Sequence, residues 1–160
     1  MREMPKCFSS KCLSIFAAIA VLITDQLTKI AVVSYLEGGN QVIAPFFNII
    51  FVKNKGVTFG LFNSIASPSL LIVAAIAASA ILIVFAKHQA PYYRLPTLLI
   101  IAGALGNIID RIFYGAVIDF LDFHLYGYHW PAFNVADSAI VIGVMTLFII
   151  SYLEEKEKKI

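Results

Sequence analysis

Asp119 and Asp137 are the two residues of this 160-residue chain whose type and position best suit catalysis. Asp119 follows the third of four long apolar stretches, and Asp137 stands at the start of the fourth. An up-down arrangement of helices would bring these two ends to the same surface. Two neighbouring carboxylates do not easily ionise together, so they share a proton and titrate as a unit. One then activates water while the other protonates a carbonyl oxygen, which is the chemistry of an aspartic peptidase and requires no metal or other cofactor.

Both aspartates also have a purely structural interpretation. Asn134 is a natural N-cap for the fourth stretch, and a carboxylate in the first turn of a helix interacts favourably with the helix dipole. Asp137 could therefore serve only to stabilise that helix, and Asp119 could be an ordinary loop acid. The residues alone leave both interpretations open.

The composition indicates a membrane protein. Hydrophobic residues make up 60% of the chain and charged residues 14%, and the mean hydropathy is +0.85. A soluble domain has about 25% charged and roughly 45–50% apolar residues, so much of this surface must face lipid. The length fits a single membrane domain over residues 1–160. The net charge of +2 is too small to indicate a nucleic-acid partner.

Four stretches approach the length of about 20 apolar residues that a helix needs to cross a bilayer. We expect helices because lipid cannot satisfy backbone polar groups, which predicts an all-α fold with four transmembrane helices. The predicted spans are residues 13–35, 68–86, 95–113 and 136–152.

The first stretch also has features of a secretory signal peptide. Its basic start and the small residues Ala18 and Ala20 imitate a cleavage site. However, the apolar stretch continues well beyond Ala20, and three further spans follow. We therefore predict a retained first helix.

The distribution of lysine and arginine predicts the orientation of the chain. If the N-terminus is cytoplasmic, the outer loops contain only Lys53 and Lys55. The cytoplasmic side then contains eight basic residues: Arg2, Lys6, Lys11, Lys87, Arg94, Lys156, Lys158 and Lys159. Both termini are therefore predicted to be cytoplasmic, with residues 36–67 and 114–135 on the outer side.

The outer segments contain a β-like region. Residues 46–52 (FFNIIFV) are aromatic or β-branched for the most part, and turn-forming residues follow them. This pattern predicts strands that rest on the membrane surface. Tyr126, Tyr128 and Trp130 in the second outer segment suit the membrane interface.

Asp25 and Lys29 place two charges inside the first span. A charge at the centre of a membrane helix costs at least about 2.5–3.5 kcal/mol on insertion scales, so it persists where it is paired or functional. These residues are four positions apart, share a helix face and can pair directly. The pair could fasten helices together, or it could contact the substrate or a catalytic residue.

A polar stripe runs along the third span. Gly103, Asn107, Asp110 and Arg111 share one helix face, and Gly103 and Gly106 would allow close approach of a neighbouring helix or a substrate. Asn107 and Arg111 supply hydrogen-bond donors, and we expect Asp110 to neutralise Arg111. Structural support and substrate positioning both remain open for these side chains.

Other functions fit the sequence less well. His124 and His129 lack the spacing of a helical zinc motif. An ion or proton transporter would use the intramembrane acidic and basic residues as a relay, but here they crowd towards the outer half and no repeat is present. A noncatalytic scaffold would leave Asp119 and Asp137 without a shared purpose.

The chain resembles the bacterial lipoprotein signal peptidases, also called signal peptidase II, over almost its full length. Five blocks in order carry the resemblance: residues 25–29 (DQLTK), 54–60 (NKGVTFG), 103–111 (GALGNIIDR), 117–120 (VIDF) and 133–138 (FNVADS). One departure is Thr58, because the family commonly has alanine before the phenylalanine of that block.

The resemblance implies a function and a place in the cell. An enzyme of the bacterial inner membrane would cut diacylglyceryl-modified prolipoproteins immediately upstream of the lipidated cysteine, at the outer face. A monomer suffices because both aspartates are on one chain, and the chemistry of the pair needs no cofactor. Asp119 and Asp137 would be catalytic. We expect the following residues to bind substrate or support this pair: Asn54, Gly56, Asn107, Arg111 and Asn134. Asp25, Lys29 and Asp110 would have structural or supporting roles.

Overall fold

The computed structural model of the chain describes residues 10–36, 39–56, 68–87 and 90–159. Its helices and strands are, in chain order, α1 (Ser10–Leu36), β1 (Asn40–Ala44), β2 (Phe47–Asn54), α2 (Pro68–Lys87), α3 (Arg94–Tyr114), β3 (Val117–Leu125), β4 (Tyr128–His129) and α4 (Val135–Glu157). All four of these helices are long and apolar enough to cross a membrane. The prediction of four such helices is confirmed. α4 extends furthest beyond its predicted span because the helix continues into a charged segment that the apolar window leaves out.

α3 is the central helix. Half of the residues in its most apolar window are buried, against 17% for α1 and α4 and 6% for α2. Glycines permit the neighbouring helices to approach: a Cβ atom at Gly103 would lie 2.4 Å from the carbonyl oxygen of Ala136 in α4. A Cβ atom at Gly106 would lie 2.6 Å from Asp25 Oδ2 in α1. The expectation that small residues on α3 allow close helix packing is therefore confirmed.

Four strands form an antiparallel sheet in the order β1-β2-β3-β4. β2 covers most of the predicted strand at residues 46–52. The sequence did not predict β3, and Asp119 lies on this strand instead of in a loop. Asp119 pairs with Val52 across the sheet. The fold therefore combines four helices with a small antiparallel sheet, which agrees with the predicted β-like outer segment and extends beyond it to β3 and β4.

Two contacts join the sheet to the helices. Val32 on α1 packs with Ile118 and Phe120 of β3 in a buried apolar cluster. Gly115 ends α3 in the left-handed region, with φ +67°, and its N–H donates to the carbonyl oxygen of Arg111 at 3.1 Å. A glycine suits this position because it adopts a positive φ without steric cost. The chain thus turns directly from α3 into β3, which carries Asp119.

At the end of the bundle away from the sheet, a carboxylate on α4 bonds to residues at the start of α3. Glu154 on α4 accepts hydrogen bonds from the hydroxyl groups of Tyr92 and Tyr93, which form a short 3-10 turn before α3. Tyr93 is buried, and its hydroxyl lies 3.0 Å from Glu154 Oε2. These contacts fix the start of α3 against the end of α4.

Candidate active site

A reciprocal capping box begins α4 and places Asp137. Asn134 Oδ1 accepts from the backbone N–H of Asp137 at 2.8 Å, and Asp137 Oδ2 accepts from the backbone N–H of Asn134 at 3.3 Å. Such a box satisfies two backbone donors that a helix start otherwise leaves without partners. The N-cap predicted at Asn134 is confirmed, and the Asp137 carboxylate is fixed in the first turn.

Asp119 is held by two asparagines. Its side chain is 2% exposed. Asp119 Oδ1 accepts from Asn134 Nδ2 at 2.8 Å, and Asp119 Oδ2 accepts from Asn54 Nδ2 at 2.9 Å. Asn134 therefore bonds to both aspartates, through its amide nitrogen to Asp119 and through its other polar groups to Asp137. One side chain brings the two predicted catalytic carboxylates to the same place.

Asn107 connects this pair to the interior of the bundle. Its Nδ2 donates to Asp137 Oδ1 at 2.8 Å. Its Oδ1 accepts from Lys29 Nζ at 3.0 Å and from Asn134 Nδ2 at 3.3 Å. Because Asn107 is buried, these bonds fix its amide orientation and aim its donor at Asp137. This geometry fits the predicted role of Asn107 in supporting the aspartate pair.

A buried ion cluster lies behind Asn107. Lys29 Nζ is 2.8 Å from Asp25 Oδ2 and 2.8 Å from Asp110 Oδ2, and each of the three side chains is at most 1% exposed. The direct Asp25–Lys29 pair expected from the sequence is present. Asp25 Oδ1 also accepts from the backbone N–H of Ala136 at 2.8 Å, and Asp110 Oδ2 accepts from that of Ile118 at 3.0 Å. The cluster therefore fastens the starts of α4 and β3, the elements that carry the two aspartates.

The expectation that Asp110 neutralises Arg111 is wrong. Asp110 pairs with Lys29, and no ion pair joins Asp110 to Arg111 in the described part of the chain. Consecutive residues on an α-helix point about 100° apart, so they do not face each other. Asp110 consequently points towards α1, whereas Arg111 points towards the segment after β2.

Arg111 holds that segment against the site. Its Nη2 donates to the carbonyl oxygen of Gly56 at 3.2 Å, and its Nη1 donates to that of Asn107 at 3.3 Å. Asn54 Oδ1 accepts from the backbone N–H of Gly56 at 3.0 Å. Arg111 Nε is buried and has no hydrogen-bond partner among the described residues. The remainder of this sequence block, residues 57–60 with Thr58, lies outside the described residues.

Burial raises the pKa of Asp119 from 3.8 to about 7. This value already includes a raising effect of the neighbouring Asp137 and opposing effects of the hydrogen bonds from Asn54 and Asn134 and of the charge of Lys29. A carboxyl group with this pKa exchanges its proton near neutral pH, which is the range in which a general acid or base works best. The electrostatics therefore suit a carboxylate pair that holds one proton.

An apolar cleft of about 490 Å³ adjoins this pair. Asp137 forms part of its wall. The other lining residues, mostly apolar, are Trp130, Phe133, Ser138, Ile140, Val141 and Ile142. A hydrocarbon segment placed in this cleft would lie directly beside a carboxylate.

Gln26 is a polar residue of this region to which the sequence assigned no role. Its Nε2 lies 3.2 Å from Asp25 Oδ2, from the carbonyl oxygen of Gly106 and from Asp110 Oδ1. It thus adds donors to the two carboxylates that flank Lys29. The available signal was a lone amide inside an apolar span, next to a residue already expected to be paired.

A second polar cluster lies on the sheet. Asp122 Oδ1 is 2.8 Å from His129 Nδ1, and Asp122 Oδ2 accepts from Asn48 Nδ2 at 2.9 Å. Burial raises the pKa of Asp122, but the hydrogen bonds from His129 and Asn48 and the two nearby histidines outweigh it, so the net pKa is lowered. Over the described ranges, no group of three or more His, Cys, Asp or Glu side chains is suited to hold a metal ion.

Residues 17–153 match the protein family described as signal peptidase (SPase) II. The chain belongs to the signal peptidase II family. It is 43% identical to the lipoprotein signal peptidase of Thermodesulfovibrio yellowstonii over 136 residues, which are 84% of this chain and 90% of that relative. It is 42% identical to the lipoprotein signal peptidase of Burkholderia vietnamiensis over 135 residues, 81% of each chain.

Solved structures of membrane enzymes share the fold of this signal peptidase II family member. One structure of a bacterial membrane enzyme superposes with a TM-score of 0.80, has 33% identity and covers 92% of both chains. Another superposes with a TM-score of 0.77, has 34% identity and covers 86% of this chain and 91% of its own. Family membership indicates an aspartic peptidase and gives no support to an ion transporter.

Proposed function

We propose that the chain is a membrane aspartic endopeptidase that removes the signal peptide from diacylglyceryl-modified prolipoproteins. It cleaves immediately upstream of the lipidated cysteine, and Asp119 and Asp137 are the catalytic pair. The observation that carries this assignment is the double attachment of Asn134, which bonds to Asp119 at 2.8 Å and forms the capping box with Asp137. A capping box would also form with a purely structural Asp137, but the bond from the same Asn134 to the buried Asp119 joins the two carboxylates in one site.

The proposed mechanism uses one proton shared between the two carboxylates. The ionised carboxylate accepts a proton from water as the water oxygen bonds to the scissile carbonyl carbon. The protonated carboxyl donates its proton to the carbonyl oxygen, which gives a tetrahedral diol. The carboxyl that accepted the proton from water then passes it to the nitrogen of the departing cysteine as the C–N bond breaks. The other carboxylate takes a proton from a diol hydroxyl, which leaves the new carboxyl group of the signal peptide and restores the single shared proton. The pKa of about 7 at Asp119 supports this exchange near neutral pH.

Five further residues support the reaction. Asn107 and Asn134 orient the aspartate pair through the bonds described above. Asn54 reaches Asp119, and Arg111 binds the carbonyl oxygen of Gly56, so the segment that contains Asn54 and Gly56 lies beside the pair. Arg111 Nε is buried and has no hydrogen-bond partner among the residues that the structure describes, so it is a donor suited to a substrate carbonyl. We assign this segment and Arg111 to holding the substrate backbone.

The proposed site is at the outer face of the bacterial inner membrane, with both termini cytoplasmic. Lysine and arginine are more frequent at the ends of the spans that lie away from the aspartate pair, which supports this orientation. Tyr126, Tyr128 and Trp130 are exposed on the same side as Asp119, as expected for side chains at the membrane interface. A lipid-anchored cysteine keeps its scissile bond at this depth, and the apolar cleft beside Asp137 suits hydrocarbon.

A single copy of the chain suffices for this function. Both aspartates lie on one chain, as do the asparagines that bond to them in the described part of the structure, so we propose a monomer with one membrane domain. The partners are the prolipoprotein and membrane lipids, and the weak net charge of +2 offers no basis for nucleic-acid binding.

The test compares three asparagine variants in detergent with a diacylglyceryl-modified prolipoprotein. Asp119→Asn and Asp137→Asn should each lower the cleavage rate by about 10³-fold or more, because neither retains the shared-proton chemistry. Asp122→Asn is the matched control, since Asp122 is also buried on β3 but bonds to His129 and Asn48. Full activity in either of the first two variants would contradict the catalytic assignment.

A further inference from the structure

A second cleft lies at the end of the bundle opposite to the aspartate pair. It has a volume of about 400 Å³ and lies between α1, α2 and α3. Its walls are mostly apolar, with Ile15, Ile83 and Leu98 among the lining residues. Two basic residues, Lys11 from α1 and Arg94 from α3, also line the cleft. The cleft therefore combines positive charge with a hydrocarbon surface.

The two cations have no carboxylate partner among the residues that the structure describes. Both side chains are exposed, and no described ion pair includes either one. Glu154, an acidic residue at this end, instead accepts hydrogen bonds from Tyr92 and Tyr93. Lys11 and Arg94 thus remain available for an anion from outside the chain.

The cleft continues into an apolar groove between α1 and α3. This groove has a volume of about 210 Å³ and shares Ile15, Leu98 and Ile101 with the cleft. It follows α1 as far as Leu22, about 16 Å from Lys11 along the helix axis. Ala18 lies between these ends, and its small side chain leaves room in the groove. The cleft, with its two cations, therefore continues into an apolar groove that runs towards the membrane centre.

We propose that this cleft and groove bind an anionic phospholipid, with the phosphate between Lys11 and Arg94 and an acyl chain along α1 and α3. Basic pockets between transmembrane helices bind lipid head groups because the charges meet in a medium of low dielectric constant. A soluble anion would leave the groove empty, and an uncharged lipid would leave the cations without a partner. Only an anionic amphiphile satisfies both parts.

The first experiment measures lipid binding to the purified full-length chain by native mass spectrometry. Phosphatidylglycerol is compared with phosphatidylcholine that carries the same acyl chains. We expect one phosphatidylglycerol to bind preferentially, and the Lys11→Gln/Arg94→Gln variant to weaken its binding by about tenfold or more. The Lys53→Gln/Lys55→Gln variant removes the same charge near the other end and should bind phosphatidylglycerol like the wild type.

Two further measurements separate the head group from the acyl chain. Ala18→Leu narrows the groove and should weaken phosphatidylglycerol binding without altering the cations. Inorganic phosphate should not displace the lipid, because it gains nothing from the groove. The proposal is overturned if phosphatidylglycerol and phosphatidylcholine bind equally well. It is also overturned if the two double variants have equal affinities for phosphatidylglycerol, or if inorganic phosphate alone displaces the lipid. The readout is lipid binding, so the result is independent of the proposed peptidase activity.

Discussion

Asp25 Oδ1 on the first helix accepts a hydrogen bond from the backbone N–H of Ala136, at 2.8 Å, in the first turn of the last helix. Ala136 is the residue immediately before Asp137. The other oxygen of the same carboxylate pairs with Lys29 at 2.8 Å. The position of one catalytic candidate is therefore set by an ion pair on α1, a helix that contributes no carboxylate to the proposed catalytic pair.

Replacement of Lys29 by methionine tests this arrangement. Lys29→Met leaves Asp25 and Asp110 buried without their shared cation, and loss of one partner from a buried pair costs about 3–5 kcal/mol. We expect the free energy of unfolding in detergent to fall by about this amount. The triple variant Asp25→Asn/Lys29→Met/Asp110→Asn removes the unpaired charges and should recover part of the loss. Equal stability of the single and triple variants would show that charge pairing is not the cause.

The two roles of Asn134 are separable by substitution. Asn134→Ala removes the N-cap and the bond to Asp119, so stability should fall by about 1–2 kcal/mol and the cleavage rate by roughly 10- to 100-fold. Asn134→Ser retains a capping oxygen but lacks the amide that reaches Asp119. Thermal unfolding and cleavage rates of both variants are measured together. If the serine variant regains stability but stays poorly active, the bond from Asn134 to Asp119 is needed for catalysis separately from the N-cap. Full activity in the alanine variant would contradict this role.

Asp119 should make the stability of the protein depend on pH between about 4 and 7. Its folded pKa of about 7 exceeds the ordinary 3.8, so the folded state binds the proton more tightly than the unfolded chain. Stability from this group is present at low pH and is lost as the pH rises through this interval, by at most about 4 kcal/mol. The Asp119→Asn variant should lose less stability than wild type between pH 4 and pH 8, as measured by thermal unfolding.

Asp122 provides the control with the opposite sign. Its folded pKa is lowered, so its contribution is present above the unfolded pKa and is lost as the pH falls through the folded pKa. Asp122→Asn should therefore change the stability profile on the acidic side and leave the interval between pH 4 and pH 8 close to wild type. If Asp119→Asn and Asp122→Asn changed the pH dependence of stability in the same way, the raised pKa assigned to Asp119 would be contradicted.

Gly106 tests how closely α1 and α3 must approach. A Cβ atom at this position would lie 2.6 Å from Asp25 Oδ2, so Gly106→Ala should displace that carboxylate from Lys29. We expect a loss of about 1–3 kcal/mol in the free energy of unfolding. Gly39→Ala is the control, because its Cβ atom would lie 3.8 Å from the carbonyl oxygen of Leu36, an ordinary contact. Similar losses in both variants would contradict the importance of this close approach.

The predictable parts of the structure are those with a local signal. Hydropathy located the four helices, and the spacing of Asp25 and Lys29 located their pairing because both residues lie on one helix face. The sequence did not predict β3, since Asp119 and its neighbours Ile118 and Phe120 are all buried and no alternation of polar and apolar residues marks this part of the strand. The partner of Asp110 comes from another helix, and spacing within α3 carries no information about it.

The four helices differ in how much of their sequence is committed to specific partners. On α3, Gly103, Asn107 and Asp110 each meet a defined atom on another element. Only 6% of the most apolar window of α2 is buried, and its Ser79 hydroxyl bonds back to the carbonyl oxygen of Ala75 in the same helix. The apolar composition of α2 therefore matters more than the order of its residues. Among the four helices, we expect amino-acid substitutions to accumulate fastest in α2, whose main requirement is an apolar surface towards lipid.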